Sequence, residues 1–187
     1  MPLNETEKKE LLKAARSSIE ARIKNRPRVL NPAIESDTLK KDAGVFVSLH
    51  KNGRLRGCIG VFASKEPLWK TVQEMAKSAA TRDPRFVPVE AEELPSIEIE
   101  ISVLSPLMKI ADVEEIEVGR HGIYIMQGLN RGVLLPQVAI EHGFDRDEFL
   151  SETCVKAGLD PEAWREGADI YIFDAEIFGE CALEKKF

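Results

Sequence analysis

The chain has 187 residues, 43% of them hydrophobic and 31% charged, with a formal net charge of −6. That apolar content supports a packed core in one domain, or in two small lobes, and excludes a disordered chain. An acidic body repels a phosphate backbone, so nucleic acid is not expected as a partner.

The charge is uneven. Residues 1–43 hold ten Lys/Arg against seven Asp/Glu, and the remainder is net −9. The basic run Arg22-Ile-Lys-Asn-Arg-Pro-Arg28 is the one local patch that could meet a polyanion; its plain reading is a solvated helix end and loop. No run approaches the ~20 apolar residues of a membrane span. The N-terminus lacks the apolar stretch of a signal peptide. A soluble cytoplasmic protein is expected, with no membrane association.

Three cysteines, Cys58, Cys154 and Cys181, make no CxxC and no disulfide framework. None of them pairs with His50, His121 or His142 at metal-ligand spacing, so no metal and no cofactor are expected.

In chain order, Leu11, Leu12, Ala15, Ile19 and Ile23 recur at helical spacing, which predicts a helix over 4–24 capped by Asn4 or Thr6. Residues 25–43 form a long connector without periodicity, and long connectors often carry function. Strands over 44–50 and 54–62 flank Lys51-Asn52-Gly53, a hairpin signal. A two-residue turn and a three-residue loop both fit. The three-residue loop pairs His50 with Arg54, Leu49 with Leu55 and Ser48 with Arg56. It gathers Val45, Val47, Leu49, Leu55, Gly57 and Ile59 on one apolar face, and is preferred because a one-residue slip inverts a face.

A helix follows over 66–81 with Pro67 in its first turn. Asp83-Pro-Arg-Phe-Val-Pro88 reads as a stiff loop, and residues 96–103 alternate strictly, as a strand with one polar face does. A second hairpin spans 122–127 and 131–135. Helices over 136–142 and 145–157 precede late strands at 169–174 and 176–179. Hairpins without regular βαβ alternation predict an α+β fold with a largely antiparallel sheet and packed helices.

The preferred register places Phe46, Ser48, His50, Arg54, Arg56 and Cys58 on one face. A thiol reacts as thiolate, and a nearby cation favours that form. Arg56 can supply the cation or grip an anionic substrate through its planar fork. Gly57 and Gly60 flank Cys58, and glycine within a strand marks close approach by a ligand or another chain segment. His50 is a candidate base at long reach, and Asp83 with Arg85 offers an acid and a base on a proline-stiffened loop. Cys58 can equally be a small buried hydrophobe. Glu98 and Glu100 share a strand face, where they are either solvated or paired with Arg54 or Arg56. Cys154 lies on an ordinary apolar helix face, His142 sits at a helix end and His121 in a loop.

The segment Leu55-Arg56-Gly57-Cys58-Ile59-Gly60, followed by Val61-Phe62, resembles the signature of the AMMECR domain family. Further blocks agree in order: Asp83-Pro-Arg-Phe86, Ile101-Ser-Val-Leu-Ser-Pro106, Gly132-Val-Leu-Leu-Pro-Gln137, Phe149-Leu-Ser-Glu-Thr-Cys154 and Lys156-Ala-Gly158. The resemblance covers about residues 5 to 181. It implies a single AMMECR-like domain over residues 1–187, α+β in class, with a larger and a smaller lobe and a cleft between them. It also implies that the 55–60 segment is the functional element and that Memo-type or radical-SAM proteins are pathway partners. Two functions remain in view. One is an enzyme, or enzyme component, acting on a small polar or anionic substrate around Arg56 and Cys58. The other is a non-catalytic module presenting the 55–60 segment to a protein partner.

Overall fold

The computed structural model describes residues 3–26 and 36–180. Cys181 and the end of the basic run, Pro27 and Arg28, lie outside them. The fold is α+β with antiparallel strand pairing, as expected, and the chain divides into two compact units. One comprises residues 1–104 and 176–187, the other residues 105–175.

The first unit opens with helix α1, Glu5–Ile23. Asn4 caps it: its side chain accepts from Glu7 N at 2.9 Å while Glu7 reaches back to Asn4 N, a reciprocal capping box. The described end of the connector holds a short helix, α2, Asp37–Lys40. Strands β1 (Gly44–Lys51) and β2 (Arg54–Val61) follow, then helix α3 (Leu68–Thr81), which starts after Pro67. A 3-10 turn over Ala91–Ser96 leads into β3, Ile97–Leu104. The strands lie in the order β2-β1-β3, so β2 is an edge strand. The core joins Leu11, Ile19, Val45, Val47, Leu49, Val72, Ala76, Ile99 and Ile101, all essentially sealed from solvent. The strict alternation of β3 appears here as Ile97, Ile99 and Ile101 inward, with Glu98 and Glu100 on the other side.

The hairpin register differs from both simple alternatives. Lys51 pairs with Arg54 and His50 with Leu55, so the turn has two residues, Asn52 and Gly53. Both have positive φ, 53° and 72°, as the right-handed twist of a tight hairpin requires. The register then shifts: Leu49 faces Gly57, and Arg56 is the extra residue of a β-bulge. Ser48 therefore lies opposite Cys58, not Arg56. The bulge returns Gly57 and Ile59 to the side of Val45, Val47 and Leu49. Leu55 falls before the correction, shares His50's side and is 41% exposed instead of joining the apolar face.

The second unit contains a two-residue strand β4 (Met108–Lys109), hairpin strands β5 (His121–Gln127) and β6 (Asn130–Leu134), and helices α4 (Pro136–His142) and α5 (Arg146–Lys156). Its last strand, β7, runs unbroken over Asp169–Gly179, where two strands were expected. Residues 169–175 of β7 belong to this unit, and β7 pairs with both β4 and β5. Phe149, Ile123, Ile125 and Ile172 form the centre of its core.

Each hairpin carries a glycine beneath a helix. A Cβ at Gly57 would come within 2.3 Å of the Ala79 carbonyl oxygen of α3, and one at Gly132 within 2.4 Å of Thr153 O of α5. Gly57→Ala forces α3 away from β2 and is expected to cost about 1–3 kcal/mol, the usual penalty of overpacking. Gly132→Ala should do the same in the second unit. Urea unfolding of both variants beside the wild type checks this; unchanged midpoints would contradict the helix contacts.

Candidate functional site

An edge strand leaves every second residue's N–H and C=O facing away from its neighbour. In β2 Cys58 is such a residue. Its N–H donates to Asp83 Oδ2 at 2.8 Å, and its C=O accepts from Arg85 Nη2 at 3.3 Å. The Asp83-Pro84-Arg85 segment thus closes the edge at one position, as a neighbouring strand would. Asp83 also binds Arg85 in a fork, Nε to Oδ1 at 3.0 Å and Nη2 to Oδ2 at 2.7 Å, and accepts from Arg85 N. The Asp83 side chain is 2% exposed, that of Arg85 55%. The Arg85 guanidinium is the main reason that the Asp83 carboxyl lies well below the usual carboxylate range. Burial opposes it, and the N–H groups of Cys58 and Arg85 add to it. Arg85 is in turn held more firmly protonated, chiefly by Asp83 and to a lesser degree by Cys58.

Because the backbone of Cys58 points away from β1, Ser48 and Cys58 form the closer, non-hydrogen-bonded kind of cross-strand pair. Ser48 is buried and its hydroxyl donates to Cys58 Sγ at 3.2 Å. The thiol is half-buried and unbridged. On the other flank of Ser48, β3 places Glu100 in the same cross-strand row.

Arg56 is differently employed. At the bulge its side chain grips Glu93 of the 3-10 turn, Nε to Oε1 at 3.1 Å and Nη2 to Oε2 at 2.8 Å. Its Nη1 donates to Val87 O at 2.9 Å. Lys51 shares the same carboxylate at 2.9 Å. Arg56 therefore fastens the 83–93 segment to the hairpin, and this guanidinium is committed within the fold. Glu98 and Glu100, weighed as its partners, do not take that place. Glu93 was not singled out in the sequence, where nothing separates it from its neighbours Glu90 and Glu92.

The glycines have packing reasons. Gly57 lies under α3, and a Cβ at Gly60 would strike the Phe46 ring at 2.3 Å. The close approach marked by both is made by other parts of this chain. His50 faces Leu55 and Glu98 two residues along β1 from Ser48, about 6–7 Å by strand rise. The structure thus brings together Ser48, Cys58, Asp83 and Arg85. It sets Arg56, Gly57 and Gly60 in supporting contacts and leaves His50 at the margin.

Elsewhere, Cys154 is 0% exposed and burial pushes its thiol pKa up, as for an inert core cysteine. His121 is the first residue of β5 rather than a loop residue; it is buried and accepts from Glu117 N at 3.1 Å. Among the described residues, no group of three or more His, Cys, Asp or Glu is placed to hold a metal ion. No described helix is long and apolar enough to cross a membrane.

A model of the AMMECR1 family matches residues 12–178. The chain belongs to that family. A relative from Methanosarcina mazei is 43% identical, covering 99% of this chain and 100% of its own length. One from Methanothermobacter thermautotrophicus is also 43% identical, covering 96% and 97%. The crystal structure of the uncharacterized protein PH0010 from Pyrococcus horikoshii matches with a TM-score of 0.85 at 40% identity, over 91% of this chain and 89% of that one. Family and fold thus agree, and the chemistry rests on the geometry above.

Arg56, followed by Lys51, lowers the Glu93 pKa from 4.5 to about 2. A depressed carboxylate pKa stabilises the fold above the unfolded value, and this stabilisation is lost as pH falls through the folded value. Acidification from about pH 4.5 toward 2 should therefore destabilise the wild type. Glu93→Gln should be less stable at neutral pH, yet lose less stability across that window. Urea midpoints measured through the range check both; parallel pH profiles would refute the clamp.

Proposed function

We propose that Cys58 is the reactive centre of an enzyme, or enzyme component, that handles a small polar or anionic substrate. Arg85 takes the anion-holding role first considered for Arg56. The single observation that carries this reading is the Ser48 hydroxyl directed at Cys58 Sγ, a contact that holds the half-buried sulfur in one orientation on the polar side of the hairpin, where Arg85 is anchored. Arg85 adds to the case. It is anchored at the Cys58 carbonyl and more than half exposed, and among the described residues its Nη1 donates no hydrogen bond. A substrate carboxylate or phosphate can take those free N–H groups while the sulfur addresses a neighbouring electrophilic atom.

The test is charge-selective alkylation in a Cys181→Ser background. Iodoacetate and iodoacetamide react alike: the thiolate sulfur forms a bond to carbon and iodide leaves. Only iodoacetate carries an anion for Arg85. The folded protein should favour iodoacetate at Cys58 about fivefold over the ratio of the unfolded chain, the worth of ~1 kcal/mol from one screened charge. Arg85→Gln should remove the preference, and Ser48→Ala should slow both reagents. A thiol that stays unlabelled in the folded protein, or a ratio indifferent to Arg85, would sink the reading.

A second reading, the non-catalytic binding module, is favoured by the exposed apolar side chains beside the Arg56 clamp. Leu55 is 41% and Val87 75% exposed. Memo-type and radical-SAM proteins are the first partners to try, on the strength of the family resemblance. In this reading Leu55→Ser weakens capture of such a partner at least tenfold by surface plasmon resonance, and Cys58→Ser leaves it unchanged. The opposite pattern supports the thiol.

A further inference from the structure

The basic run at the end of α1 is not absorbed by the Cys58 site, and the fold gives it a counterpart that is distant in sequence. Helices α1 and α3 pack side by side within the first unit. Between them lies a concavity of about 190 Å³ lined by Ser18, Ala21, Arg22, Asn25, Arg26, Gln73 and Lys77. Among the described residues, three cations line it and no carboxylate does. Arg22 and Arg26 have no acidic partner among the described residues. Among the described residues, Lys77 is paired only with Glu74 at 2.5 Å, an exposed contact on its own helix that exchanges readily with solvent ions. Another acid, Glu20, lines an adjoining concavity and is occupied by Lys24 at 3.7 Å.

One cation at a helix C-terminus is explained by the helix dipole. That account covers Arg22 but not the set. Two of the α1 terminal carbonyls are already taken, Glu20 O by Lys24 N and Ala21 O by Arg26 N. Lys77 comes from the other helix. Asn25 adds an amide to the same wall, and two arginine forks suit the oxygens of a phosphate.

We propose that this concavity binds the phosphate group of a small phosphorylated molecule. Size and charge favour a small ligand over nucleic acid. The cations form one spot rather than a stripe, and the chain as a whole carries −6, which repels the flanks of a long polyanion.

The experiment follows backbone amide shifts of the 15N-labelled chain at low salt during titration with inorganic pyrophosphate. Saturable shifts should appear at residues 18–26 and 73–77. The double variant Arg22→Gln/Lys77→Gln should raise the Kd at least about tenfold, the loss of one or two charge-assisted hydrogen bonds. Lys70→Gln, on a half-exposed lysine of α3 that pairs with Glu66 outside the concavity, should leave the Kd unchanged. Three results would overturn the proposal. They are no saturable shift at these amides, an equal loss on Lys70→Gln, and tighter binding of single-stranded RNA that grows with its length. The last would assign the patch to nucleic acid. Matching far-UV circular dichroism of all variants guards against misfolding as the cause.

Discussion

The outward N–H and C=O groups of an edge strand must find partners, water or another strand. In β2 the requirement is met at Cys58 by side chains rather than by a strand. Asp83 accepts from one backbone group and Arg85 donates to the other. This solution fixes the rest of the neighbourhood. It holds the 83–88 loop against the hairpin, sets a salt-bridged carboxylate and guanidinium beside the thiol, and orients Cys58 so that its side chain meets Ser48. It also blocks one position at which a foreign strand could pair. A stable carboxylate is essential to it, and the same Arg85 that completes the edge keeps Asp83 ionised.

The Arg56 clamp works alongside. Asp83 and Arg85 grip the strand's backbone, whereas Arg56 reaches out from the strand to Glu93 and to the backbone of Val87. Bonds thus run in both directions between residues 56–58 and 83–93, and each segment limits the motion of the other. Of the six residues from Leu55 to Gly60, four have their identity explained by this packing. Arg56 is the clamp, Gly57 lies under α3, Ile59 packs on the core and Gly60 lies against Phe46. Cys58 and the exposed Leu55 are the two whose type packing does not require. They are also the two on which the competing functional readings turn.

Much of the architecture is legible in the residues because it follows from short-range periodicity. The α1 face, the Pro67 start of α3 and the alternation of β3 are all local patterns. The segments Asp169–Asp174 and Glu176–Gly179 form one strand because Ala175, read as a break, continues the extended backbone. The site was harder. The apolar pattern and the Asn-Gly turn each pointed to a different hairpin register, and only a bulge satisfies both. Placement of Ser48 opposite Arg56 failed for that reason. The partner of Arg56 was illegible for another: Glu93 lies 37 residues away, and no periodicity reaches across a helix and a loop. The nearness of Asp83 and Arg85 to Cys58 is a tertiary fact of the same kind, although the two residues were singled out for their chemistry.

The bulge at Arg56 also changes what an insertion or deletion would do to this hairpin. Side-chain direction along a strand depends on whether a count of residues is odd or even. The Asn-Gly turn sets one parity and the extra residue reverses it before Cys58 is reached. Deletion of Arg56 would remove the guanidinium and the bulge together and, with the turn kept, leave Leu49 opposite Gly57 and Ser48 opposite Cys58 in a regular ladder. What would send the thiol toward the helices and turn Gly57 outward is a ladder without the bulge, in which Arg56 itself faced Leu49. The bulge thus acts as a phase shifter between the turn and the site, and the pairing of β2 is as much a determinant of the site as the side chains it carries.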